Sequence, residues 1–278
     1  MPTRIPSEAD FLPILPSHPA SSANSSPSSP SNNPLSLVYP SPRESTTSIL
    51  LLFHGLGDSE VPFATFARNL ALPGVLAISV RGIAPLPALI APEGGNAGFH
   101  WGDDLRFDES EGALDPDPGF ERARAWVMDR LIGEVLVGKC GWELEDVMLF
   151  GFGQGGAFAL GLASALRAGP RVEEVAGEDT GRMRAGKEFK GVVSVGGGLP
   201  ASMVPTVSGL GKAQTPVLVC CGRESEMVDE DAVDLLEREF ERVKIVRWKR
   251  ADDGMPRNRD EVLPMMEFFA ERLKSGWL

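Results

Sequence analysis

From residue 46 onward the chain alternates short, almost uninterrupted apolar runs with longer amphipathic stretches. Apolar runs of five or six residues are typical of buried strands, and amphipathic stretches of ten or more are typical of helices. Strands are predicted at 49–53, 75–80, 146–151, 190–195, 215–221 and 243–249, and helices at 61–71, 118–138, 154–168, 229–241 and 259–275. Apolar strands separated by helices predict an α/β fold, with a mostly parallel central sheet covered by helices on both faces.

The N-terminal region follows a different pattern. Residues 16–34 contain only Ser, Pro, Asn, Ala and one His. Such a segment buries too little apolar surface to offset the entropy lost on ordering. We therefore expect a largely disordered Ser/Pro-rich segment at 1–45 and one α/β domain at 46–278. In that domain, Asp117 and Pro118 are expected to start a helix, as N-cap and first helical residue.

Charge and composition exclude several functions. The formal net charge of −12 disfavours binding to nucleic acid or to anionic membrane surfaces. No apolar stretch reaches the roughly 18 residues that span a bilayer. The three cysteines, Cys140, Cys220 and Cys221, are an odd number with two adjacent, which favours reduced thiols in a cytoplasmic protein, with a nuclear location also open. No spacing of histidines or cysteines predicts a metal site, and no cofactor is expected.

A glycine-rich turn between a predicted strand and a predicted helix is the main functional signal. Gly151, Gly153 and Gly156 fit the G-x-G-x-x-G pattern of dinucleotide-binding turns. However, the acidic residue expected about 20 positions later, at the end of the next strand, is missing. The same residues also fit a nucleophile elbow, G-x-S-x-G, in which the serine is replaced.

The second interpretation is strengthened by a family resemblance. Gly151-Phe152-Gly153-Gln154-Gly155-Gly156 resembles the G-F-S-Q-G-G of the acyl-protein thioesterase, lysophospholipase and carboxylesterase family of α/β-hydrolases, and Leu52-Phe53-His54-Gly55-Leu56-Gly57-Asp58 resembles its strand-ending H-G-L-G-D. The resemblance covers about residues 46–275. It implies an α/β-hydrolase fold and a catalytic serine, aspartate and histidine in that chain order.

All three catalytic positions implied by the resemblance carry other residues. Gly153 replaces the serine, and Arg257, in Gly254-Met255-Pro256-Arg257-Asn258, replaces the histidine. Ser225 aligns with the aspartate, although its neighbours Glu224 and Glu226 leave the register of this position open. The three histidines, His18, His54 and His100, all precede the elbow, so none can serve as the base in the usual order.

The resemblance also implies features that need no particular side chain. The backbone N–H groups of Leu56 and Gln154 would form the oxyanion hole, and Arg257 would add positive charge to the cleft. His54 is expected to brace its turn and His100 to lie at the cleft edge or surface. Cys221 is expected to be a buried thiol and no replacement nucleophile, and the acidic run from Asp103 to Glu111 a solvated loop.

These observations lead to a ranked set of functions. The sequence favours a pseudoenzyme that binds an acyl or carboxylate ligand, or a protein partner, without cleaving it. A weak or altered carboxylic-ester or thioester hydrolase is the alternative. A dinucleotide-binding protein that uses Gly151, Gly153 and Gly156 is the third. Partner contacts are expected at the loop 82–116 and the polar insert 169–188.

Overall fold

The computed structural model describes residues 3–14, 34–87, 98–105, 107–108, 113–115, 117–167, 188–206 and 210–274. The strands are β1 Leu35–Val38, β2 Ser48–Phe53, β3 Val75–Val80, β4 Ala84–Pro85, β5 Phe99–His100, β6 Phe107–Asp108, β7 Ala113–Leu114, β8 Val147–Phe152, β9 Gly191–Val195, β10 Val217–Cys221 and β11 Val243–Arg247. The α-helices are α1 Glu8–Phe11, α2 Glu60–Leu70, α3 Glu121–Ala125, α4 Gln154–Ser164, α5 Glu230–Glu239 and α6 Arg259–Lys274. A π-helical segment, Trp126–Lys139, continues α3.

A seven-stranded sheet with the order β1-β3-β2-β8-β9-β10-β11 forms the centre of the domain. The edge strand β1 is antiparallel to β3, and the other neighbouring strands pair in parallel. Parallel strands need helical crossovers, which cover both faces of the sheet. This arrangement confirms the predicted fold class, and the strand positions match the predicted ones to within two residues at each end.

Two hydrophobic clusters lie on the two faces of the sheet. Along β2, Ile49, Leu51 and Phe53 belong to one cluster, whereas Leu50 and Leu52 belong to the other. The alternation follows from the two-residue period of a strand, and every residue of β2 is buried. The first cluster includes residues of the π-helical segment, α4 and α5, and the second includes residues of α2 and α6.

The helix predicted to start at Asp117 begins later, at Glu121. Asp103, from the acidic run, accepts hydrogen bonds from the backbone N–H groups of Glu121 (2.6 Å) and Arg122 (2.9 Å). The carboxylate of Asp117 instead accepts hydrogen bonds from the N–H and hydroxyl of Ser202. The cap of α3 therefore comes from a residue distant in sequence, and the expectation that the whole acidic run is a solvated loop is wrong for Asp103. Residues 109–112 lie outside the described residues.

The predicted boundary at residue 46 also needs correction. Residues 3–14 pack on the domain, where the side chains of Phe11 and Ile14 are buried. The indole N–H of Trp142 donates to the carbonyl of Arg4 (2.9 Å), and that of Trp126 to the carbonyl of Ile14 (3.0 Å). Strand β1 lies in the central sheet. The prediction of disorder is therefore wrong for residues 3–14 and for β1, and for the rest of the Ser/Pro-rich segment it stays a prediction. Residues 15–33 lie outside the described residues.

Substitution of Phe11 tests the docking of this segment. Phe11→Ala removes a fully buried ring and should lower the free energy of unfolding by about 3 kcal/mol. The neighbouring Leu12, which is 61% exposed, supplies a matched control, because Leu12→Ala should change stability little. Urea unfolding of the two variants measures the difference. Equal stability of both variants and the wild type would contradict the packing of residues 3–14.

Candidate functional site

The site lies at the tight turn between β8 and α4. Gly153 forms the apex with φ 51° and ψ −119°, a backbone conformation that side-chain-bearing residues adopt only with strain. Its N–H donates to the carbonyl of Val195 (2.8 Å), and its carbonyl accepts from the N–H of Ala157 (3.0 Å). A Cβ added at residue 153 would find its nearest neighbour, Gly55 Cα, 4.0 Å away. The backbone has the shape of an elbow, with free space where a nucleophile would project.

Close backbone packing explains the other glycines of the turn. A Cβ on Gly151 would overlap the backbone of Gly155, and a Cβ on Gly155 would overlap the carbonyls of Phe53 and His54. A Cβ on Gly156 would overlap the hydroxyl of Ser194. These glycines are needed for the strand, turn and helix to pack together. No phosphate is required to account for them, which removes the main support for the dinucleotide interpretation.

The turn after β2 lies beside the elbow. Trp101 joins the two, because its backbone N–H donates to Oε1 of Gln154 (2.8 Å) and its indole N–H donates to the carbonyl of His54 (2.9 Å). Its ring stacks on Phe158 with centroids 5.1 Å apart. This fully buried side chain, which the sequence analysis did not single out, fixes the first residue of α4 relative to the turn at Gly55.

Gln154 and Leu56 carry the two backbone amides predicted to form an oxyanion hole, and both residues lie in the turns next to Gly153. Gln154 is the first residue of α4, whose leading N–H groups have no acceptor within the helix, and no side chain caps this end. Leu56 follows Gly55, the nearest neighbour of the position where a side chain at 153 would project. The hydrogen bonds identified among the described residues give neither amide an acceptor. The positive end of the α4 dipole adds to the attraction for an anion at this point.

His54 is fully buried and braces its turn, as predicted. Its Nδ1 lies 2.7 Å from the carbonyl of Gly55, and its Nε2 accepts a hydrogen bond from the N–H of Gly82 (2.8 Å). These partners require the neutral tautomer with a proton on Nδ1. Burial lowers the pKa of this imidazole. Both nitrogens are occupied, so His54 has no free atom with which to act as a base.

His100 is only 6% exposed, so its predicted place at the cleft edge or surface is wrong. It lies on β5, which pairs with β4. Cys221 is a buried, unpaired thiol, as predicted, and burial raises its pKa. The strands β2 and β10 are separated by β8 and β9, so His54 and Cys221 lie on different strands that do not neighbour each other.

The loops after β10 and β11 are joined by a carboxylate that the sequence analysis missed. Asp253 accepts hydrogen bonds from the hydroxyl of Ser225 (2.6 Å) and the N–H of Gly222 (2.7 Å). By contrast, Glu224 is exposed and pairs with Arg223, and Glu226 is exposed. The carboxylate that joins these two loops is therefore that of Asp253, in the loop after β11, and not that of Glu224 or Glu226. Its position directly before Gly254-Met255-Pro256-Arg257 was the signal available in the sequence.

Arg257 does not supply a free positive charge. Its side chain is 63% exposed, and its guanidinium pairs with Asp252 at 2.7 Å. The expectation that it adds charge to the cleft is therefore wrong. Arg250 organises the loop instead, since it donates to the carbonyl of Gly254 (2.6 Å) and lies over the ring of Trp248, 4.4 Å from its centroid.

No group of three or more metal-binding side chains occurs among the described residues, and none of the described helices is long and apolar enough to cross a membrane.

Comparisons with known proteins agree with this geometry. Residues 36–173 match the family model described as Phospholipase/Carboxylesterase. An uncharacterized hydrolase of Schizosaccharomyces pombe is 36% identical over 118 residues, which are 42% of this chain and 46% of that protein. One of Mycosarcoma maydis is 32% identical over 124 residues, 44% of this chain and 43% of that protein. The matched segment thus spans less than half the length of either relative.

Solved structures share the fold over a longer stretch. The Zea mays acyl-protein thioesterase 2 superposes with a TM-score of 0.59 at 20% identity, covering 86% of this chain and 98% of that one. A carboxylesterase of Mesorhizobium loti superposes with a TM-score of 0.54 at 16% identity, covering 81% and 89%. The chain has an α/β-hydrolase fold, and its residues 36–173 are similar to the phospholipase/carboxylesterase family.

The buried His54 makes stability depend on pH. In the unfolded chain its pKa is near 6.5, above the lowered folded value, so the unfolded state binds the extra proton first as pH falls. The contribution of the neutral His54 imidazole to the free energy of unfolding is fully present above the pKa that this histidine has in the unfolded chain. It should be lost below pH 6.5, by up to about 1.4 kcal/mol per pH unit.

A His54→Asn variant should be less stable at pH 7.5, by about 1–3 kcal/mol, because a buried hydrogen-bond partner is removed. Between pH 7.5 and pH 5.5, its unfolding free energy should also fall by less than that of the wild type. His18→Asn, in the Ser/Pro-rich segment, is the control and should keep the wild-type slope. An unchanged slope in His54→Asn would show that this imidazole is not held neutral.

Proposed function

We propose that this chain is a non-hydrolytic member of its family that binds a carboxylate or acyl group at the elbow without cleaving it. The observation that carries the proposal is the glycine at the apex of a turn that otherwise has the elbow shape. An attacking oxygen requires a side chain, and Gly153 has none.

The lack of a base supports the same proposal. General-base catalysis needs a group within hydrogen-bond reach of the nucleophile, with a pKa near the working pH. His54 has both nitrogens occupied, and the chain has no histidine beyond His100. At the position of the family histidine, Arg257 stays protonated and forms an ion pair.

The carboxylate of Asp253 lies near the elbow, but its role differs from that of an aspartate that orients a catalytic histidine. A Cβ on Gly196, next to the end of β9, would lie 2.9 Å from Cβ of Asp253. Asp253 therefore lies close to the end of β9, where the carbonyl of Val195 accepts a hydrogen bond from the N–H of Gly153. Its two oxygens are used by Ser225 and Gly222. It holds two loops together, and no imidazole among the described residues is hydrogen-bonded to it.

Binding capacity remains because it depends on backbone. The amides of Leu56 and Gln154 and the positive end of α4 favour a partly or fully negative oxygen placed above Gly153. In a hydrolase such donors stabilise the oxyanion of the transition state. Without a nucleophile they would act on a ground-state ligand, which makes a carboxylate or an acyl carbonyl the expected ligand class.

The same proposal extends to partners and location. A protein partner is expected at the loop 82–116 or the insert 169–188, and nucleic acid is not expected because the net charge is −12. Residues 168–187 and 88–97 lie outside the described residues. The three buried, unpaired cysteines support a cytoplasmic location.

A p-nitrophenyl ester assay tests the non-hydrolytic half of the proposal. The purified wild type should show no turnover above buffer and no mass increase after treatment with a fluorophosphonate. Gly153→Ser fits the space above the turn, since the nearest atom to a Cβ is 4.0 Å away. It should fold with a loss of about 1–3 kcal/mol, because residue 153 has a positive φ. It should also fail to hydrolyse the ester, because no base activates the new serine.

Two results would count against this proposal. Hydrolysis by the wild type that follows the protein through purification would favour the alternative of a weak or altered ester hydrolase. Hydrolysis by Gly153→Ser alone would show that a base is present after all, and that only the nucleophile has been lost.

A further inference from the structure

A cavity lies at the end of the parallel strands opposite the elbow. Its volume is about 960 Å³, within the range of cavities that hold small-molecule ligands. It is lined by residues at the starts of β2 and β3, at the end of β1 and at the C-terminal ends of α2 and α6. The elbow follows the carboxyl end of β8, which runs parallel to β2. The cavity and the elbow are therefore separate sites.

The floor of the cavity is apolar and comes from the sheet and its neighbouring loop. Leu50, Leu72, Val75 and Ala77 line it, and each is at most 9% exposed. Small side chains contribute to the space, because Ala67 on α2 and Ala270 on α6 also line it. These two helices cover the same face of the sheet and leave this gap between them. An extended apolar chain would gain the free energy of leaving water along this floor.

The charged residues that line the cavity are all basic. Arg68 and Lys274 are the charged residues that line it, and no Asp or Glu lines it. Both cations are exposed, and no carboxylate within the described part of the chain forms an ion pair with either one. In a chain with 39 acidic and 27 basic residues, two cations that have no ion-pair partner among the described residues, at the rim of an apolar cavity, favour a ligand with a negative head group.

We propose that this cavity binds a long-chain fatty acid, with its acyl chain along the floor between α2 and α6 and its carboxylate at Arg68 and Lys274. The apolar floor matches the chain, and the two cations match a single carboxylate. This site is independent of the proposed ligand at the elbow, because it shares no residue with the turns at Leu56 and Gln154.

Calorimetry on the full chain with dodecanoate, below its critical micelle concentration, tests the site. Dodecanoate should bind the wild type at least about tenfold more tightly than dodecyltrimethylammonium, which has the same chain length and the opposite charge. Arg68→Gln combined with Lys274→Gln should weaken dodecanoate binding about tenfold, because two attractive charges are lost. Lys244→Gln is the matched control. It removes an exposed cation from β11, at the other edge of the sheet, and should leave the affinity unchanged.

A blocking variant tests the location by a second route. In excess hexanoate, which occupies the elbow, Ala270→Trp places a large ring on an exposed position of the cavity lining and should abolish the remaining dodecanoate binding, while the unfolding temperature stays close to that of the wild type. The proposal is overturned if dodecanoate does not bind, or if the double substitution and Lys244→Gln have equal effects. It is also overturned if no dodecanoate binding remains in excess hexanoate, because the ligand would then lie at the elbow, or if the remaining binding survives Ala270→Trp.

Discussion

The domain depends on one backbone constraint: the chain must reverse direction within a single residue between β8 and α4. Gly153 meets this constraint with a positive φ, and the hydrogen bond from its N–H to Val195 ties the turn to β9. The reversal also brings Gly155 against the carbonyls that end β2, and Gly197 against the backbone of Gly153 and Ala157. Such close approaches leave no room for side chains, so the position of α4 follows from the glycines around it.

The same constraint bears on the proposal that the geometry of the site is kept without its chemistry. A serine at this apex would add strain, because its side chain would sit at positive φ. Glycine removes the strain and leaves the backbone donors in place. The surrounding polar side chains then serve the fold: His54 holds the turn after β2, Asp253 joins the loops after β10 and β11, and Arg250 closes the second of these loops. Each forms hydrogen bonds with partners within the domain.

The strands and the elbow could be predicted from the sequence because they depend on local patterns. Apolar runs identify buried strands, and the order of glycines identifies the turn. The contacts that could not be predicted join residues far apart in sequence. Asp103 caps a helix that Asp117 was expected to cap, and Asp253 serves the loop in which Glu224 and Glu226 were considered. Phe11 is an isolated aromatic residue near a Ser/Pro-rich segment, so its burial depends on a surface that only the folded domain provides.

The central claim is that the backbone of the elbow still binds a negative oxygen after the catalytic groups have been lost. Amide chemical shifts of ¹⁵N-labelled protein, followed during a titration with hexanoate, test this claim at the two donors themselves. The account predicts saturable shifts of the Leu56 and Gln154 amides with one common dissociation constant, and no comparable shift at the amide of the exposed residue Lys244 on β11. Saturable hexanoate binding that leaves both amides unshifted, or no binding at all, would contradict it.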